Sequence, residues 1–311
     1  MKVSRASEAI FKRNTVVTIG TFDGVHIGHK KIIERLVKKA LENDLQSVVL
    51  TFFPHPRMVL QKESNIKLLN TLEEKSEILD ALKVDHLVVK AFTPEFSRLS
   101  ALEFVRDLLV NSLKTKYLII GYDHRFGRNR AANIDDLKEF GETYGFEVME
   151  ISAQEINDVA VSSTKIRNAL RDGDVDMANA YLGYTYMLNG TVVHGRGLGK
   201  ELSFPTANLQ VSESYKLIPK NGVYVVSSEI NGTTYFGMMN IGTNPTVNSG
   251  TEQRMEVHFF DLNRDLYGIK LEIKLLKRVR DEQKFESIEA LRQQLEQDCV
   301  DIKAIISDLY E

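Results

Sequence analysis

The first half of the chain alternates short apolar runs with segments in which apolar residues recur at helical spacing. The runs are Val16–Ile19, Ser47–Phe53, Leu87–Val89, Tyr117–Ile120 and Phe146–Ile151. Apolar residues from Ile32 to Leu41 and from Ala101 to Leu109 recur along one side of a helix. Strands separated by helices predict right-handed crossovers and a parallel sheet covered on both faces.

The pattern changes after about Gly183, where apolar runs follow one another closely. These runs are Tyr184–Tyr186, Thr191–Val193, Val223–Val226, Thr234–Phe236, Glu256–Phe260 and Ile269–Leu275. Asn231-Gly232 separates two of them as a hairpin turn would. This half predicts a mostly antiparallel β-barrel or sandwich, and it ends in an amphipathic helix from Ile288 to Ile306. We place the domain boundary at this change of pattern, which gives domains 1–183 and 184–311.

Composition and charge set limits on the class of protein. A chain of 311 residues exceeds the size at which one core stops growing, which agrees with two domains. The net charge is −3, so the protein has no overall field to attract nucleic acid or an anionic membrane. The single cysteine, Cys299, excludes an internal disulfide and a cysteine-based zinc site. Since the sequence shows neither a signal-like apolar start nor an apolar stretch of about 18 residues, we expect a cytoplasmic protein.

Four unusual polar clusters in the first half come after predicted strands. They are Gly20–His29, Phe52–Arg57, Gly121–Gly127 and, after the last strand and a connection, Ser162–Arg167. The carboxyl ends of the strands in a parallel sheet share one edge, and ligands bind in the crevice there. We therefore expect the four clusters to converge on one ligand.

The first cluster, GTFDGVHIGH, is compatible with a nucleotide site. Gly24 and Gly28 let the backbone approach a ligand, and a helix that begins near residue 28 directs unpaired N–H groups at phosphate. His26 and His29 face the same way on the first helical turn and can donate to a departing pyrophosphate. Ordinary surface or core histidines are the alternative, and the adjacent glycines favour the nucleotide site.

Other residues of these clusters have both a nucleotide interpretation and a structural one. The hydroxyls of Ser162, Ser163 and Thr164 can contact nucleotide or only cap a helix. His55, which lies between two prolines, belongs either to the site or to a turn. The arginines that can neutralise phosphate charge are Arg125, Arg128, Arg130 and Arg167.

The β-rich half carries a glycine run of its own, Gly195–Lys200. It is not a Walker A loop, which needs four residues between its first glycine and Gly-Lys, followed by Ser or Thr. A mobile turn and a phosphate cradle both remain open for this run. Composition alone cannot select a general base from the 43 acidic residues.

The motifs GTFDGVHIGHKKII, TFFPHPR, GYDHRFGR and SSTKIR, in that order, resemble the bacterial bifunctional riboflavin kinase/FAD synthetase family. FPTAN, further along, is similar to the riboflavin kinase signature, and the likeness extends from about residue 14 to 300. The HIGH tetrapeptide also occurs in class I aminoacyl-tRNA synthetases, which require a KMSKS-type loop, but here SSTKIR stands at the later position. The resemblance implies a Rossmann-like α/β FMN adenylyltransferase domain and an antiparallel β-barrel riboflavin kinase domain with a terminal helix.

The resemblance also implies the substrates and the site residues. ATP and Mg²⁺ would serve both steps, with riboflavin, FMN and FAD as substrates and products. In the adenylyltransferase, His26 and His29 would be catalytic. Its ATP-binding residues would be Gly20, Phe22, Asp23, Gly24, Gly28, Ser162, Ser163, Thr164 and Arg167. Its flavin-binding residues would be Phe53, His55, Pro56, Asp123, Phe126 and Gly127.

In the kinase, Glu256 would be the general base, and Thr206 and Asn208 would hold Mg²⁺ through oxygen atoms. The residues implied to bind ATP or flavin there are Gly195, Gly199, Lys200, Pro205, Asn221, Gly222, Tyr224 and Asn240. Without the resemblance, a solvent-exposed glutamate on an edge strand is the alternative for Glu256.

The sequence departs from the family pattern at Asn129, Ala131, Ala132, Lys200 and Ser203. Lys200 replaces the usual arginine and cannot make its bidentate fork to phosphate. We therefore expect these changes to alter the affinity for ATP more than the reaction.

Two other functions remain open from sequence. One is a nucleotidyltransferase whose β domain only binds flavin, and the other is a nucleic-acid-linked protein that shares the HIGH site. Near-neutral charge and the lack of an RNA-binding motif disfavour the second. We expect small-molecule substrates as the partners, with no nucleic acid and no membrane.

Overall fold

The structure is a computed structural model. It describes residues 1–6, 11–61, 65–122, 125–152, 161–195, 204–246 and 250–310. The chain divides into two compact units, Met1–Ser163 and Thr164–Glu311. The helices at Ser163–Asp172 and Val175–Leu182 lie between this division and the sequence-based boundary at 183/184. That boundary remains a prediction of where the two functional domains meet.

Among the described residues, the first unit is built on a parallel sheet of six strands. They are β1 (Lys2–Arg5), β2 (Thr15–Ile19), β3 (Gln46–Phe53), β4 (His86–Ala91), β5 (Thr115–Gly121) and β6 (Glu147–Ile151). Their order is β1-β4-β3-β2-β5-β6, and every neighbouring pair is parallel. The predicted parallel sheet is confirmed.

Helices cover both faces of this sheet. The helices of the first unit are α1 (Ile27–Glu42), α2 (Pro56–Leu60), α3 (Leu72–Ala81), α4 (Ala101–Glu103), which continues as a π-helix (Phe104–Ser112), and α5 (Ile134–Tyr144), and all but α2 contribute to the cores on the two faces. Short 3₁₀ turns occupy Phe96–Arg98 and Arg128–Arg130. Val17, Leu50 and Leu118 share a core with the π-helix and α5, whereas Val16, Val49 and Ile119 share one with α1 and α3. Burial on both faces explains why the strands appear as continuous apolar runs.

The chain order creates a topological switch point between β2 and β5. From β2 the chain proceeds to β3 and β4 on one side, and only later to β5 and β6 on the other. Ligands of open α/β sheets bind outside the carboxyl ends of the strands at such a point. The polar clusters that follow β2, β3 and β5 begin at this edge, as expected from sequence.

The second unit, from Thr164, contains the rest of α6 (Ser163–Asp172), then α7 (Val175–Leu182) and a closed antiparallel barrel. The barrel strands are β7 (Met187–Val193), β8 (Ala207–Gln210), β9 (Gly222–Ile230), β10 (Thr233–Thr246), β11 (Gly250–Phe259) and β12 (Lys270–Arg280). They close in the order β10-β11-β8-β7-β12-β9. The predicted barrel and the β9–β10 hairpin at Asn231-Gly232 are confirmed.

A strand predicted at Tyr184–Tyr186 is wrong. These residues connect α7 to β7, and β7 begins only at Met187. The buried Tyr186 ring donates its hydroxyl to the carbonyl oxygen of Leu217 at 2.7 Å. The aromatic side chain therefore serves a contact outside the barrel strands, which a local strand pattern does not reveal.

The terminal helix α8 (Ile288–Tyr310) packs against the barrel. Ile302 is buried with Val225 of β9 and Met238 of β10. The guanidinium of Arg280 donates to both carboxylate oxygens of Asp298, at 2.8 and 2.6 Å. This paired geometry joins α8 to the end of β12.

Candidate nucleotide and flavin sites

The turn from β2 into α1 has an unusual backbone. Phe22, Gly24 and Val25 have φ angles of 44°, 86° and 35°. Glycine adopts positive φ readily, but Phe22 and Val25 are strained there and must be held by their surroundings. Both side chains are buried in the core shared with α1. A Cβ at Gly20 would lie 3.0 Å from the Phe22 ring, so glycine allows that ring to fold back over the strand end.

The carboxylate of Asp23 links this turn to the segment that precedes α3 in the first unit. Its Oδ1 accepts hydrogen bonds from the backbone N–H groups of Leu69 at 3.0 Å and Asn70 at 3.4 Å. The Asp23 carbonyl oxygen accepts a hydrogen bond from the Ser163 hydroxyl at 2.9 Å. The start of the fourth polar cluster therefore meets the first cluster. The direct binding of ATP by Asp23 or Ser163 remains a prediction.

His26 and His29 form a stacked pair at the N-terminus of α1. The Nδ1 atom of His26 accepts a hydrogen bond from the His29 backbone N–H at 3.4 Å and caps the helix. The ring centroids are 3.7 Å apart with 18° between the planes, which confirms the expected common orientation. Because Nδ1 of His26 accepts, the proton of its neutral ring lies on Nε2.

Both imidazoles are neutral at pH 7. Burial lowers the pKa of His26 to about 4, although nearby Asp23 acts in the opposite direction. The pKa of His29 is lowered well below 6.5 by removal of the ring from water, and electrostatic repulsion from protonated His26 and from the Lys75 ammonium group lowers it further. Within the described part of the chain, no group hydrogen-bonds the buried Nδ1 of His29. The pair therefore offers neutral N–H donors rather than cations.

Lys75, which sequence analysis missed, lies beside this turn. Its side chain is buried, and Nζ donates to the carbonyl oxygen of Thr21 at 2.7 Å. Burial lowers the pKa of Lys75 to about 8, and Asp23 partly offsets this effect. The available signal was its position on the apolar side of α3, one turn before buried Leu79.

The predicted flavin residues of the second cluster lie at the end of β3 and the start of α2. Phe53 is the last residue of β3, and Pro56 takes the first helical position of α2. His55 caps this helix, because its Nδ1 accepts a hydrogen bond from the Arg57 N–H at 3.2 Å. The cap gives His55 a structural role other than the turn considered from sequence, and flavin binding by these residues remains a prediction.

Phe126 and Gly127, which follow β5 and are predicted to bind flavin, pack against Phe104 and Ala101. The Phe126 ring is 6% exposed and lies 5.7 Å from the Phe104 ring. Gly127 has a φ of 72°, and a Cβ there would approach the backbone of Ala101 to 3.1 Å. The ring of Phe126 thus has a packing role, and its contact with flavin remains a prediction. Asp123 lies outside the described residues.

One residue expected to depart from the family pattern has a left-handed backbone conformation. This residue is Asn129, and its φ is 57°. Asparagine tolerates this left-handed region better than other residues with a side chain. The nearby Ala132 is buried and pairs with Phe126 in an isolated bridge. Asparagine is therefore compatible with the loop conformation at residue 129.

The remaining predicted ATP residues lie on or near helix starts. Gly28 is buried in the first turn of α1, and Ser162 immediately precedes α6. Thr164 and Arg167 lie on α6 in the second unit, where the Arg167 side chain is buried. Their contact with nucleotide remains a prediction.

In the second unit, Glu256 lies in a row of polar side chains across three strands. It pairs in register with Asn208 of β8 and with Asn240 of β10. Directly paired residues of antiparallel strands project to the same face, with Cβ atoms about 4.5–5.5 Å apart. The structure therefore brings together the predicted base, a predicted Mg²⁺ ligand and a predicted ligand-binding asparagine.

His258 fixes the segment that leads into this row. It lies on the same face of β11 as Glu256, two residues further on. Its Nδ1 is 2.9 Å from the carbonyl oxygen of Pro205, and its ring packs edge-on against Phe204 at 5.4 Å. These contacts hold the chain on either side of Pro205, just before Thr206 and β8.

Gly195, which follows β7, lies directly against the Asn208 side chain. A Cβ at Gly195 would be 2.1 Å from Nδ2 of Asn208. Glycine at this position therefore leaves room for the amide. Gly199, Lys200 and Ser203 lie outside the described residues.

Asn221 is held by several polar groups before β9 begins. Its Nδ2 donates to Thr243 Oγ1 at 3.4 Å and to Glu282 Oε2 at 3.2 Å. Its carbonyl oxygen accepts a hydrogen bond from Arg278 at 2.7 Å. Arg278 and Glu282 were not selected from sequence, because their role depends on a contact between distant segments.

Gly222 and Tyr224 continue this network into β9. A Cβ at Gly222 would lie 2.5 Å from the carbonyl oxygen of Arg280, so glycine is required by the close approach of β12. Tyr224 is buried, its hydroxyl donates to the Lys220 carbonyl oxygen, and burial raises its pKa. These residues have a structural role, and ligand binding by them remains a prediction.

The donors present near Glu256 suit Mg²⁺ bound with a nucleotide. Over the described ranges, no group of three or more His, Cys, Asp or Glu side chains could hold a metal ion by itself. Asn208, which pairs with Glu256 across β8 and β11, instead supplies a neutral oxygen atom next to a carboxylate, and Thr206 lies two residues before Asn208 in the chain. Mg²⁺ prefers hard oxygen ligands and usually keeps several waters or substrate phosphates, so this partial set is compatible with it.

The two units together define a class of nucleotide-dependent transferase, with an α/β nucleotidyltransferase unit and a separate β-barrel unit. A family model described as FAD synthetase matches residues 9–165, and one described as riboflavin kinase matches residues 182–306. The chain belongs to the bifunctional riboflavin kinase/FMN adenylyltransferase family. No helix in the described part of the structure has the length and apolar character needed to span a bilayer.

Relatives named bifunctional riboflavin kinase/FMN adenylyltransferase match nearly the whole chain. The Listeria monocytogenes protein is 40% identical over 297 residues, which cover 95% of this chain and 94% of the relative. The Bacillus subtilis protein is 37% identical, covering 91% of this chain and 90% of the relative. A crystal structure described as a macrolide-efflux protein from Streptococcus pneumoniae is 32% identical, with a TM-score of 0.86 over 95% of this chain and 97% of that chain.

The protein phosphorylates riboflavin with ATP to give FMN, and it adenylylates FMN with ATP to give FAD and pyrophosphate. This confirms the bifunctional enzyme expected from sequence. The alternative of a β domain that only binds flavin, without kinase activity, is not supported.

Proposed function

We propose that the β2–α1 turn carries the adenylylation of FMN, whereas the polar row on β8, β10 and β11 carries the phosphorylation of riboflavin. The stacked and neutral histidine pair at the start of α1 is the observation that supports the first assignment most strongly. It combines N–H donors with the positive end of a helix, and both favour phosphate.

In adenylylation, a phosphate oxygen of FMN attacks the α-phosphorus of ATP, and the bond from that phosphorus to the departing pyrophosphate breaks. His26, with its proton on Nε2, and His29 donate hydrogen bonds to the pyrophosphate as its charge develops. Removing one such donor typically costs about 10²- to 10³-fold in rate. No covalent enzyme intermediate is required, because phosphate is already the nucleophile.

In the kinase reaction, Glu256 accepts the proton of the 5′-hydroxyl of riboflavin, whose oxygen then attacks the γ-phosphorus of ATP and releases ADP. General base catalysis of this kind contributes about 10²- to 10⁴-fold. Asn208 and Thr206 would hold Mg²⁺ and the ATP phosphates, and Asn240 would orient a substrate on the other side of the carboxylate. Mg²⁺, when bound, supplies charge neutralisation at the phosphates.

We propose that small molecules are the only substrates and that the enzyme acts in the cytoplasm. The single cysteine and the near-neutral net charge support this assignment.

Two variants test the division of roles in the full-length protein. His29→Ala should stop FAD formation while FMN still accumulates from riboflavin, ATP and Mg²⁺. Glu256→Gln should stop FMN formation but still convert supplied FMN to FAD. Glu229→Gln, which changes an exposed carboxylate on β9, is the matched control and should leave both rates unchanged. Equal loss of both reactions in either active-site variant would refute the assignment.

A further inference from the structure

We infer that Lys75 is a positioning residue for FMN adenylylation: its buried ammonium group fixes the Thr21–His29 turn and balances the charge of Asp23 beside the triphosphate site. The inference rests on the proposed adenylylation site. Lys75 belongs to α3, outside the four polar clusters, and the reaction described above assigns it no role.

The position of Lys75 is unfavourable for a lysine on packing grounds alone. The side chain is 5% exposed and lies one helical turn before Leu79, which is completely buried in the core shared with α1. Lysine is almost never fully buried unless its ammonium group is paired, because removing the charge from water is costly. An apolar side chain would satisfy the packing of α3, so the ammonium group itself requires an explanation.

The ammonium group points at the backbone of the β2–α1 turn. Its Nζ donates to the Thr21 carbonyl oxygen at 2.7 Å, and the Thr51 hydroxyl donates to the same oxygen at 3.1 Å. Thr21 immediately precedes Phe22, whose φ is 44°. Lys75 thus holds the Thr21 carbonyl group where the strained turn begins. This contact fixes the backbone that leads to His26 and His29.

Lys75 also sets the charge of the site. Asp23 faces it from the turn and His29 faces it from α1, and each interacts electrostatically with it. On α3 itself, the neighbouring Glu74 is engaged at the helix start, where its carboxylate accepts the Thr71 N–H. The charge of Lys75 favours the neutral form of His29 and compensates Asp23. Without that charge, the Asp23 carboxylate would repel an incoming triphosphate.

This arrangement predicts an alkaline limit for one of the two reactions. The pKa of Lys75 is lowered by burial to about 8, so the charge is lost within an accessible pH range. The kcat/KM of adenylylation for ATP should fall about tenfold per pH unit above this value. The substrate phosphates have second pKa values of about 6, so they are already fully ionised at the alkaline pH values at which Lys75 loses its charge.

The test uses the full-length enzyme between about pH 7 and pH 10, with FMN supplied directly. Lys75→Met should lower adenylylation at least tenfold at pH 7 and remove the alkaline fall. Lys75→Arg, which cannot lose its charge in this range, should retain more activity and remain flat. Riboflavin phosphorylation by the same preparations is the internal control. Lys38→Met, an exposed change on α1, should reproduce the wild-type profile.

A wild-type adenylylation profile that stays flat to the highest pH would overturn the inference. An alkaline fall that persists unchanged in Lys75→Arg and Lys75→Met would also overturn it, as would a lower rate with an unaltered profile, which marks a purely structural role. If Lys75→Met does not fold, the inference is tested by the other two proteins: adenylylation should fall at alkaline pH in the wild type and stay flat in Lys75→Arg.

The outcome with His29→Ala separates this inference from the proposed site. If His29→Ala retains adenylylation, the site itself is wrongly placed. If His29→Ala loses adenylylation while both Lys75 variants keep the wild-type rate and profile, only the role of Lys75 fails.

Discussion

Replacing Gly195 with alanine should slow riboflavin phosphorylation and spare the adenylylation of supplied FMN. A Cβ at residue 195 would lie 2.1 Å from Nδ2 and 2.6 Å from Cγ of Asn208, well inside the 3.0 Å that real Cβ contacts respect. The amide must therefore move by about 1 Å, and it is the direct neighbour of Glu256 across β8 and β11. A displacement of this size in an active site costs up to about 10²-fold, so we expect a loss of roughly 10- to 100-fold.

The assay follows FMN formation and ADP release at varied ATP, which separates kcat from KM. Gly232→Ala is the control, because it adds a methyl group in the β9–β10 hairpin where nothing lies within 4 Å. Wild-type kcat and KM for ATP in Gly195→Ala would refute the claim that the Asn208 amide must occupy this position for the kinase reaction.

Three further predictions concern stability. Asp298→Ala should lower the free energy of unfolding of the second unit by roughly 3 kcal/mol, because it leaves Arg280 without its buried partner. Urea denaturation measures this loss. Arg292→Ala is the control and should change the free energy of unfolding little, because it removes only an exposed ion pair on α8. The pKa of His26 falls from 6.5 to about 4 on folding, so stability should decrease by up to about 3 kcal/mol as the pH drops through this interval; equal stability at both ends would contradict it. Thr71→Ala removes the capping box of α3 and should cost about 1 kcal/mol in the same denaturation assay.

The sequence pattern revealed most strands because each is either buried on both faces or alternates regularly. β1 and β8 escaped because the segments KVSR and ANLQ are short and largely polar. The error at Tyr184–Tyr186 has a different cause, since aromatic residues there satisfy a distant contact. The local sequence pattern therefore predicted the sheet and the barrel, but it missed two short strands and misassigned one connecting segment.

In the site, the shared orientation of His26 and His29 followed from their helical spacing. The role of Asp23 did not, because its carboxylate binds the N–H of Leu69, 46 residues further along the chain. Lys75 contacts Thr21 across 54 residues, and a lysine on an amphipathic helix is ordinarily exposed. Contacts between distant segments are the part of the site that residue spacing does not encode.

The central claim is that two separate sites in one chain perform the two reactions in sequence. Mixing the His29→Ala and Glu256→Gln proteins with riboflavin, ATP and Mg²⁺, and separating the flavins by chromatography, tests it directly. Neither protein alone should make FAD, but the mixture should, after a lag in which FMN released by His29→Ala accumulates. A mixture that accumulates FMN without forming FAD, or either variant making FAD from riboflavin by itself, would contradict the account.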